Sequence, residues 1–279
     1  MTVWICAACG VEHPEAELPP QVCAICLDER QYVPRGGQDW LALDALGTDG
    51  HRIEIVSVEP ELYGIVSRPS VGIGQRSLLI RTGAGNLLWD PIGFVDEQAA
   101  RQVLELGEVA AIVASHPHMY GAQVQWSRLL GGVPVYVAEQ DREWVQREDA
   151  CIRTWRGDLQ VLPDILLRTI GGHFPGSAVA LWRSGTWRSG TSRDGVLLTG
   201  DSIFPNPNGT SVSFLRSYPN MLPLSAAVVS RLARTTLELP FDRLYGNFGG
   251  VVDADAHAVI RRSAERYAAW VRGDFDHLT

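Results

Sequence analysis

The sequence predicts a layered α/β domain preceded by a small four-cysteine metal knuckle, and three observations lead there. Apolar runs of strand length alternate with helical segments from about residue 53 onward. Four of the five cysteines fall within the first 26 residues. The chain has 279 residues, 46% of them hydrophobic. That suits one domain of roughly 200–250 residues plus a small one, or two medium domains, with a core that needs no disulfides.

The elements follow in order. Cys6, Cys9, Cys23 and Cys26 make two C-x2-C pairs with 13 residues between them. Each pair can point two thiolates at one ion, and two pairs complete a tetrahedral site. A disulfide framework is the alternative, and a reducing compartment disfavours it. His13 lies between the pairs and is expected at the surface rather than among the ligands. Pro34-Arg35-Gly36-Gly37 reads as a linker, giving a metal-binding module over 1–36 and a main domain over 37–279.

In the main domain, Ile53 to Val58, Tyr63 to Ser67, Ser77 to Arg81 and Asn86 to Trp89 read as strands. Asp96 caps a helix, Glu97 to Leu106, which Gly107 stops. Val109 to Ala114 is a continuous apolar strand, followed by Ser115-His116-Pro117-His118. Residues 122–130 read as a helix, Val133 to Ala138 as the next buried strand and 140–149 as a polar helix or helical turn. Further strands are expected around Leu159 to Ile170, Ser177 to Trp182 and Gly195 to Leu198. The tandem duplication W-R-S-G-T-W-R-S-G-T at 182–191 reads as a hairpin tip. Two late helices cover about 224–237 and the stretch from Asp255 on. The second repeats Val259, Ala264, Tyr267 and Val271 at helical spacing. Trp126, Trp144 and Trp155 are assigned to core packing and Cys151 to a buried thiol.

Composition narrows the function. The net charge is −8, and all 24 basic side chains are arginine. The acidic balance argues against coating nucleic acid or an anionic membrane, and the lack of lysine excludes Schiff-base chemistry. No run reaches the roughly 18 apolar residues of a membrane span. The start, MTVWICAACG, lacks a basic n-region. A cytoplasmic protein acting on a small molecule is the expectation; oligomeric state is not legible.

The chemistry gathers after strand ends. His116 and His118 flank Pro117, and if that segment stays extended both imidazoles project to one side. His173 follows a second strand in Gly171-Gly172-His173-Phe174-Pro175-Gly176-Ser177, and Asp201 a third in Thr199-Gly200-Asp201-Ser202. Neutral imidazoles plus one carboxylate, with a position open to water, suit a catalytic zinc or non-haem iron.

Two resemblances attach to these residues. The stretch W-I-C-A-A-C-G-V-E-H-P, then P-P-Q-V-C-A-I-C, then Tyr32, resembles the rubredoxin-like domain appended to rubrerythrins. It implies iron or structural zinc on four thiolates. The main domain resembles the metallo-β-lactamase superfamily over about residues 60–270. The pattern H-x-H-x-D-H, G-H-x-x-G-S, T-G-D and a late, loosely matched G-H-G maps onto 116–121, 172–177, 199–201 and 246–249. That resemblance implies an αββα sandwich with metal at one sheet edge and Asp90 as a supporting carboxylate.

The departures bear on mechanism. The family's aspartate position is Tyr120, its next histidine position is Gly121, and the late histidine falls at Asn247 or Phe248. Those groups hold the family's second metal, so a single zinc or iron on His116, His118, His173 and Asp201 is expected. Such a site supports hydrolysis of an ester, thioester, lactone or amide, with Asp201 orienting water and Tyr120 donating to a substrate oxygen. Two alternatives stand beside it. One is a mononuclear iron centre like that of persulfide dioxygenases, on His116, His173 and Asp201. The other is a degenerate domain that binds without turnover.

Overall fold

The computed structural model describes residues 1–183 and 195–279, and the hairpin tip expected at the tandem duplication lies outside them. Two units divide the chain, Met1–Trp155 and Arg156–Thr279.

The first unit opens with the cysteine segment. Strands β1 (Thr2–Cys6) and β2 (Glu12–Ala16) pair antiparallel, and the short helix α1 (Ala24–Leu27) carries Cys26. β3 (Trp40–Ala42), past the Pro34–Gly37 turn, pairs with the free side of β1, and α2 (Leu43–Leu46) follows. A seven-stranded sheet comes next. Its strands are β4 (Arg52–Glu59), β5 (Leu62–Arg68), β6 (Ser77–Ile80), β7 (Asn86–Trp89), β8 (Val109–Val113), β9 (Val135–Ala138) and β10 (Ile152–Trp155), ordered β10-β9-β8-β7-β6-β5-β4. β4 to β7 are antiparallel; β7 to β10 are parallel. Helices α3 (Glu97–Leu104) and α4 (Gln123–Leu129) are the crossovers that parallel neighbours require. Asp96 caps α3 as the sequence indicates, its carboxylate accepting from the Ala99 N–H.

One face of the central strands presents Leu79, Leu88, Ile112 and Val137 to Ala99, Val103 and Trp126 of the helices. The alternate residues, Leu78, Leu87, Trp89 and Val113, are buried as well, and this explains why these strands read as unbroken apolar runs. Because β7 and β8 are parallel, Asp90 and the 115–118 segment emerge at the same sheet edge.

The second unit has a six-stranded sheet: β11 (Asp158–Leu162), β12 (Ile165–Thr169), β13 (Ala178–Trp182), β14 (Val196–Thr199), then two late strands joined below. Between β14 and the late strands lie two small hairpins, β15 (Phe204–Pro205) with β16 (Val212–Ser213) and β17 (Leu215–Ser217) with β18 (Leu222–Pro223). After helix α5 (Ala226–Thr236) come β19 (Arg243–Gly246), β20 (Val251–Val252) and helix α6 (Ala256–Val271). The sheet order is β11-β12-β13-β14-β19-β20. Both helices pack on the face that carries Val179, Leu181, Leu197 and Leu244. β12 and β14 both run antiparallel to β13, so their C-terminal ends share one edge; His173 follows the first and Asp201 the second.

Several expectations shift. The strand expected over Leu159 to Ile170 is a hairpin broken at Pro163-Asp164, where proline has no N–H for a ladder. Of the polar helix or helical turn expected over 140–149, the structure has the turn, a 3-10 segment over Glu139–Trp144. β10 and β19 carry no sequence expectation, being four residues each with charged positions inside. Among the described residues no helix is long and apolar enough to cross a membrane.

Candidate metal centres

The four cysteines meet. Cys6 and Cys26 sulfurs lie 3.5 Å apart and those of Cys9 and Cys23 3.7 Å apart, all four side chains buried. Disulfide sulfurs would sit at about 2.05 Å, whereas thiolates on one ion with bonds of about 2.3 Å have this spacing. Hydrogen bonds from Cys26, Cys6 and Cys9 pull the Cys23 thiol far below its ordinary value, with His13 contributing. Cys9, hydrogen-bonded by Cys23, Cys26 and Cys6 and desolvated, is pushed up. So crowded a set cannot ionise together without a cation, and the donor set fits zinc or iron. The Gln38 side-chain N–H donates to Cys6 Sγ at 3.0 Å. His13 is buried rather than at the surface, because β2 turns its ring edge-on against Trp40 at 4.6 Å.

In the first unit His116 and His118 do not lie on an extended segment. His116 is extended, but Pro117–Met119 coil into a 3-10 turn. The turn still brings the imidazoles together, centroids 5.2 Å apart and both buried. Ser115, which the sequence reading passed over, orients the first. Its hydroxyl donates to Asp90 Oδ2 at 3.0 Å and lies 2.8 Å from His116 Nδ1. A hydroxyl has one proton, so His116 Nδ1–H must donate to Ser115, which leaves the ring lone pair on Nε2. The other oxygen of Asp90 accepts the Ser115 N–H at 2.6 Å. Asp90 is fully buried at φ +54°, a left-handed conformation that aspartate tolerates better than most residues. The adjacency of Ser115 to His116 was the available signal for this relay.

Tyr120 does not fit the role of donor to a substrate oxygen. It is buried and its hydroxyl already donates to the Asp141 carbonyl at 2.9 Å. Burial holds its pKa well above the ordinary phenol value, with the Asp141 carboxylate adding to the shift. Gly121 has φ +48°, and a Cβ there would stand 2.0 Å from the Pro91 carbonyl oxygen. No side chain can occupy that position.

In the second unit His173 and Asp201 are buried, with His173 Nε2 3.8 Å from Asp201 Oδ2. That is too long for a hydrogen bond and within the span of two bonds of about 2.1 Å to one ion. His173 Nδ1 lies 3.1 Å from the Leu215 carbonyl, which can only accept, so this ring too has its lone pair on Nε2. Ser202 Oγ accepts the His173 N–H at 3.0 Å and donates to the Gly171 carbonyl at 2.6 Å. Tyr218, also unforeseen, donates to the Asp201 carbonyl at 3.0 Å. Asn247 is buried just beyond β19, while Phe248 is partly exposed and stacks near Phe204.

These features define a metal-binding α/β protein. The sequence model of the metallo-beta-lactamase superfamily matches residues 72–246, and the chain belongs to that superfamily, whose members are generally metallo-hydrolases using zinc or iron. The fold is the mixed α/β fold of the superfamily, with several sheets. The uncharacterized protein YmaE of Bacillus subtilis (strain 168) is 39% identical over 279 residues, which is 99% of this chain and 100% of that protein. Among solved structures, the DIM-1 metallo-beta-lactamase is similar with a TM-score of 0.57 and 14% identity, covering 78% of this chain and 98% of that one. FIM-1 from Pseudomonas aeruginosa, in its mono-zinc form, gives 0.53 and 13%, covering 77% and 96%. The flavodiiron core Flv1 of Synechocystis sp. PCC6803 gives 0.54 and 12%, covering 78% of this chain and 61% of that one.

Proposed function

We propose that the protein is a hydrolase working with one metal ion, held by His116, His118, His173 and Asp201, on a small ester, thioester, lactone or amide. One observation carries the single-ion reading: the backbone seals position 121 against any side chain. A second ion would also need a ligand at position 120, where the phenol is engaged with Asp141. Chemistry that clamps a phosphodiester between two ions loses its support, and acyl hydrolysis with one ion remains. The mono-zinc form described for FIM-1 is a precedent in a protein of similar fold.

The residues divide the work. The Asp90–Ser115 relay and the Leu215 carbonyl fix the tautomers of His116 and His173, so their Nε2 lone pairs are ready for an ion without rearrangement. An ion in this set lowers the pKa of coordinated water toward roughly 7, supplying hydroxide at neutral pH. Asp201 would give one oxygen to the ion and could accept a hydrogen bond from a nucleophilic water with the other. Tyr218, tied to the Asp201 carbonyl, keeps that loop from withdrawing.

Metal analysis of untagged protein tests the assignment, together with hydrolysis of a panel of chromogenic esters, thioesters, lactones and amides. Wild type should carry two metal equivalents, and His173→Ala one, with hydrolysis reduced to background. Two equivalents in His173→Ala would overturn the ligand set. Iron in the second equivalent, with oxygen consumed on persulfide, would replace hydrolysis by the oxidative reading.

A further inference from the structure

We propose that the four-cysteine knuckle orders the His116–His118 turn, and that Glu12 is the positioning residue through which it does so. That this turn serves a metal site rests on the reading above; that the knuckle orders it does not.

Glu12 stands three residues past Cys9, at the start of β2, and is 2% exposed. Its own N–H donates to the Gly121 carbonyl at 2.9 Å. Its carboxylate accepts the N–H groups of Val124 and Gln125, the latter at 3.3 Å. These are the second and third residues of α4, the donors that a helix start leaves without intrahelical partners. The local cap residue, Ala122, has no side-chain acceptor. A residue more than a hundred positions earlier therefore caps this helix, and its negative charge suits the positive end of the helix dipole.

The cap is itself held in place. Arg147, 4% exposed, donates to Glu12 Oε2 at 2.7 Å and to Glu15 at 2.7 Å. Burying a charge pair this deeply is costly unless its geometry is kept, so Glu12 has one arrangement rather than several. The remaining link runs back to the cysteines. Cys6 accepts the Gly10 N–H and donates its N–H to the Val11 carbonyl, so the turn that exits to Glu12 is built on the first cysteine pair.

A second contact reinforces the first. A Cβ at Gly93 would lie 2.4 Å from the Gly10 carbonyl oxygen, and one at Gly72 would lie 2.3 Å from the Gly10 nitrogen. The cysteine turn therefore rests directly on the loop that begins at Asp90, whose carboxylate holds Ser115 and so His116. Residues 115–125 are clamped from both ends, by Asp90 on one side and by Glu12 on the other. An ion on the four thiolates fixes the turn that carries Glu12, and by linkage an ordered turn favours the ion in return.

Amide hydrogen exchange on the full chain tests this, using Glu12→Ala and Glu12→Gln with cobalt in the knuckle, its thiolate absorption confirming occupancy. Glu12→Ala should speed exchange of the Val124 and Gln125 amides and of the 116–122 backbone about tenfold, the size of a lost helix cap. Exchange in β4 to β6 should stay unchanged. Affinity for the second cobalt equivalent should fall by a similar factor, which general loosening with an intact knuckle would not produce. Glu12→Gln keeps one acceptor oxygen and should restore protection at one of the two amides. Unchanged exchange over 116–125 in Glu12→Ala overturns the proposal. Should that variant not fold, unchanged protection at both amides in Glu12→Gln does the same. A wild type that takes only one equivalent would sink the metal reading, while the exchange result still decides this one.

Discussion

The two proposed metal centres are built on opposite plans. The cysteines all come from residues 6–26, lie against one another and are fully withdrawn from water. The histidines and the aspartate proposed for the other come from three separate loops over residues 116–201, and the His116 and His173 rings are each set by a group outside the ligand set. A local, closed, all-sulfur set is the plan of a structural ion, which contributes folding energy. A dispersed set held by hydrogen bonds to its second nitrogens is the plan of a working ion, whose orientation matters more than the stability it adds. The difference teaches where damage should show: in unfolding for one centre, in metal affinity for the other.

The largest effect should come from the cysteines. Cys9→Ser removes one thiolate from a knuckle whose sulfurs share a core cluster with Ile5, Ile25 and Leu43. Stability measured by denaturant unfolding should drop on the order of 5 kcal/mol, part of the roughly 10–16 kcal/mol a structural zinc supplies in isolated fingers. A variant that unfolds like wild type would break the contrast, since the knuckle would then be a passenger.

Next in size is Ser115→Ala, which leaves the histidines and Asp90 in the sequence but cuts the relay between them. Affinity for the second metal equivalent should fall about 10- to 100-fold, as for other outer partners of ligating histidines. Chelator competition measures it, and the cysteine-bound equivalent serves as the internal reference. Equal loss of both equivalents would mean that Ser115 acts through folding and not through the ring.

Much of this organisation was legible. The cysteine spacing and the strand-end histidines carry strong chemical signals in few residues, and long apolar runs such as Val109–Val113 have only one sensible burial. Four-residue strands such as Arg243–Gly246 were not legible, because their pairing is decided by neighbours distant in sequence. The roles of Tyr120 and His13 were misjudged for a related reason. A side chain's type indicates what it can donate, but whether its proton is already engaged depends on a carbonyl such as that of Asp141, which sequence does not mark. Glu12 is the extreme case: its helix is more than a hundred residues away and the local cap position is a bare alanine. The Gly121 substitution was visible as a departure, yet only the Pro91 carbonyl beneath it shows that the position is closed.

The smallest effect on metal, and the sharpest test of the contrast, should come from Ser202→Ala. Ser202 accepts the His173 N–H and donates to the Gly171 carbonyl, so alanine strands a buried donor and loosens a glycine turn. An unsatisfied buried group costs about 1–3 kcal/mol, and denaturant unfolding should show a loss of that order. The His173 ring, however, keeps its hydrogen bond to the Leu215 carbonyl. Its tautomer and direction therefore survive, and affinity for the second equivalent should fall only about threefold, well short of the outer-partner range. Ser115 and Ser202 both support a ligating histidine, one through the ring and one through the backbone. A Ser202→Ala variant that weakens metal as much as Ser115→Ala would place the limiting constraint in the backbone turn, and the working centre would then be held in the same way as the cysteine knuckle.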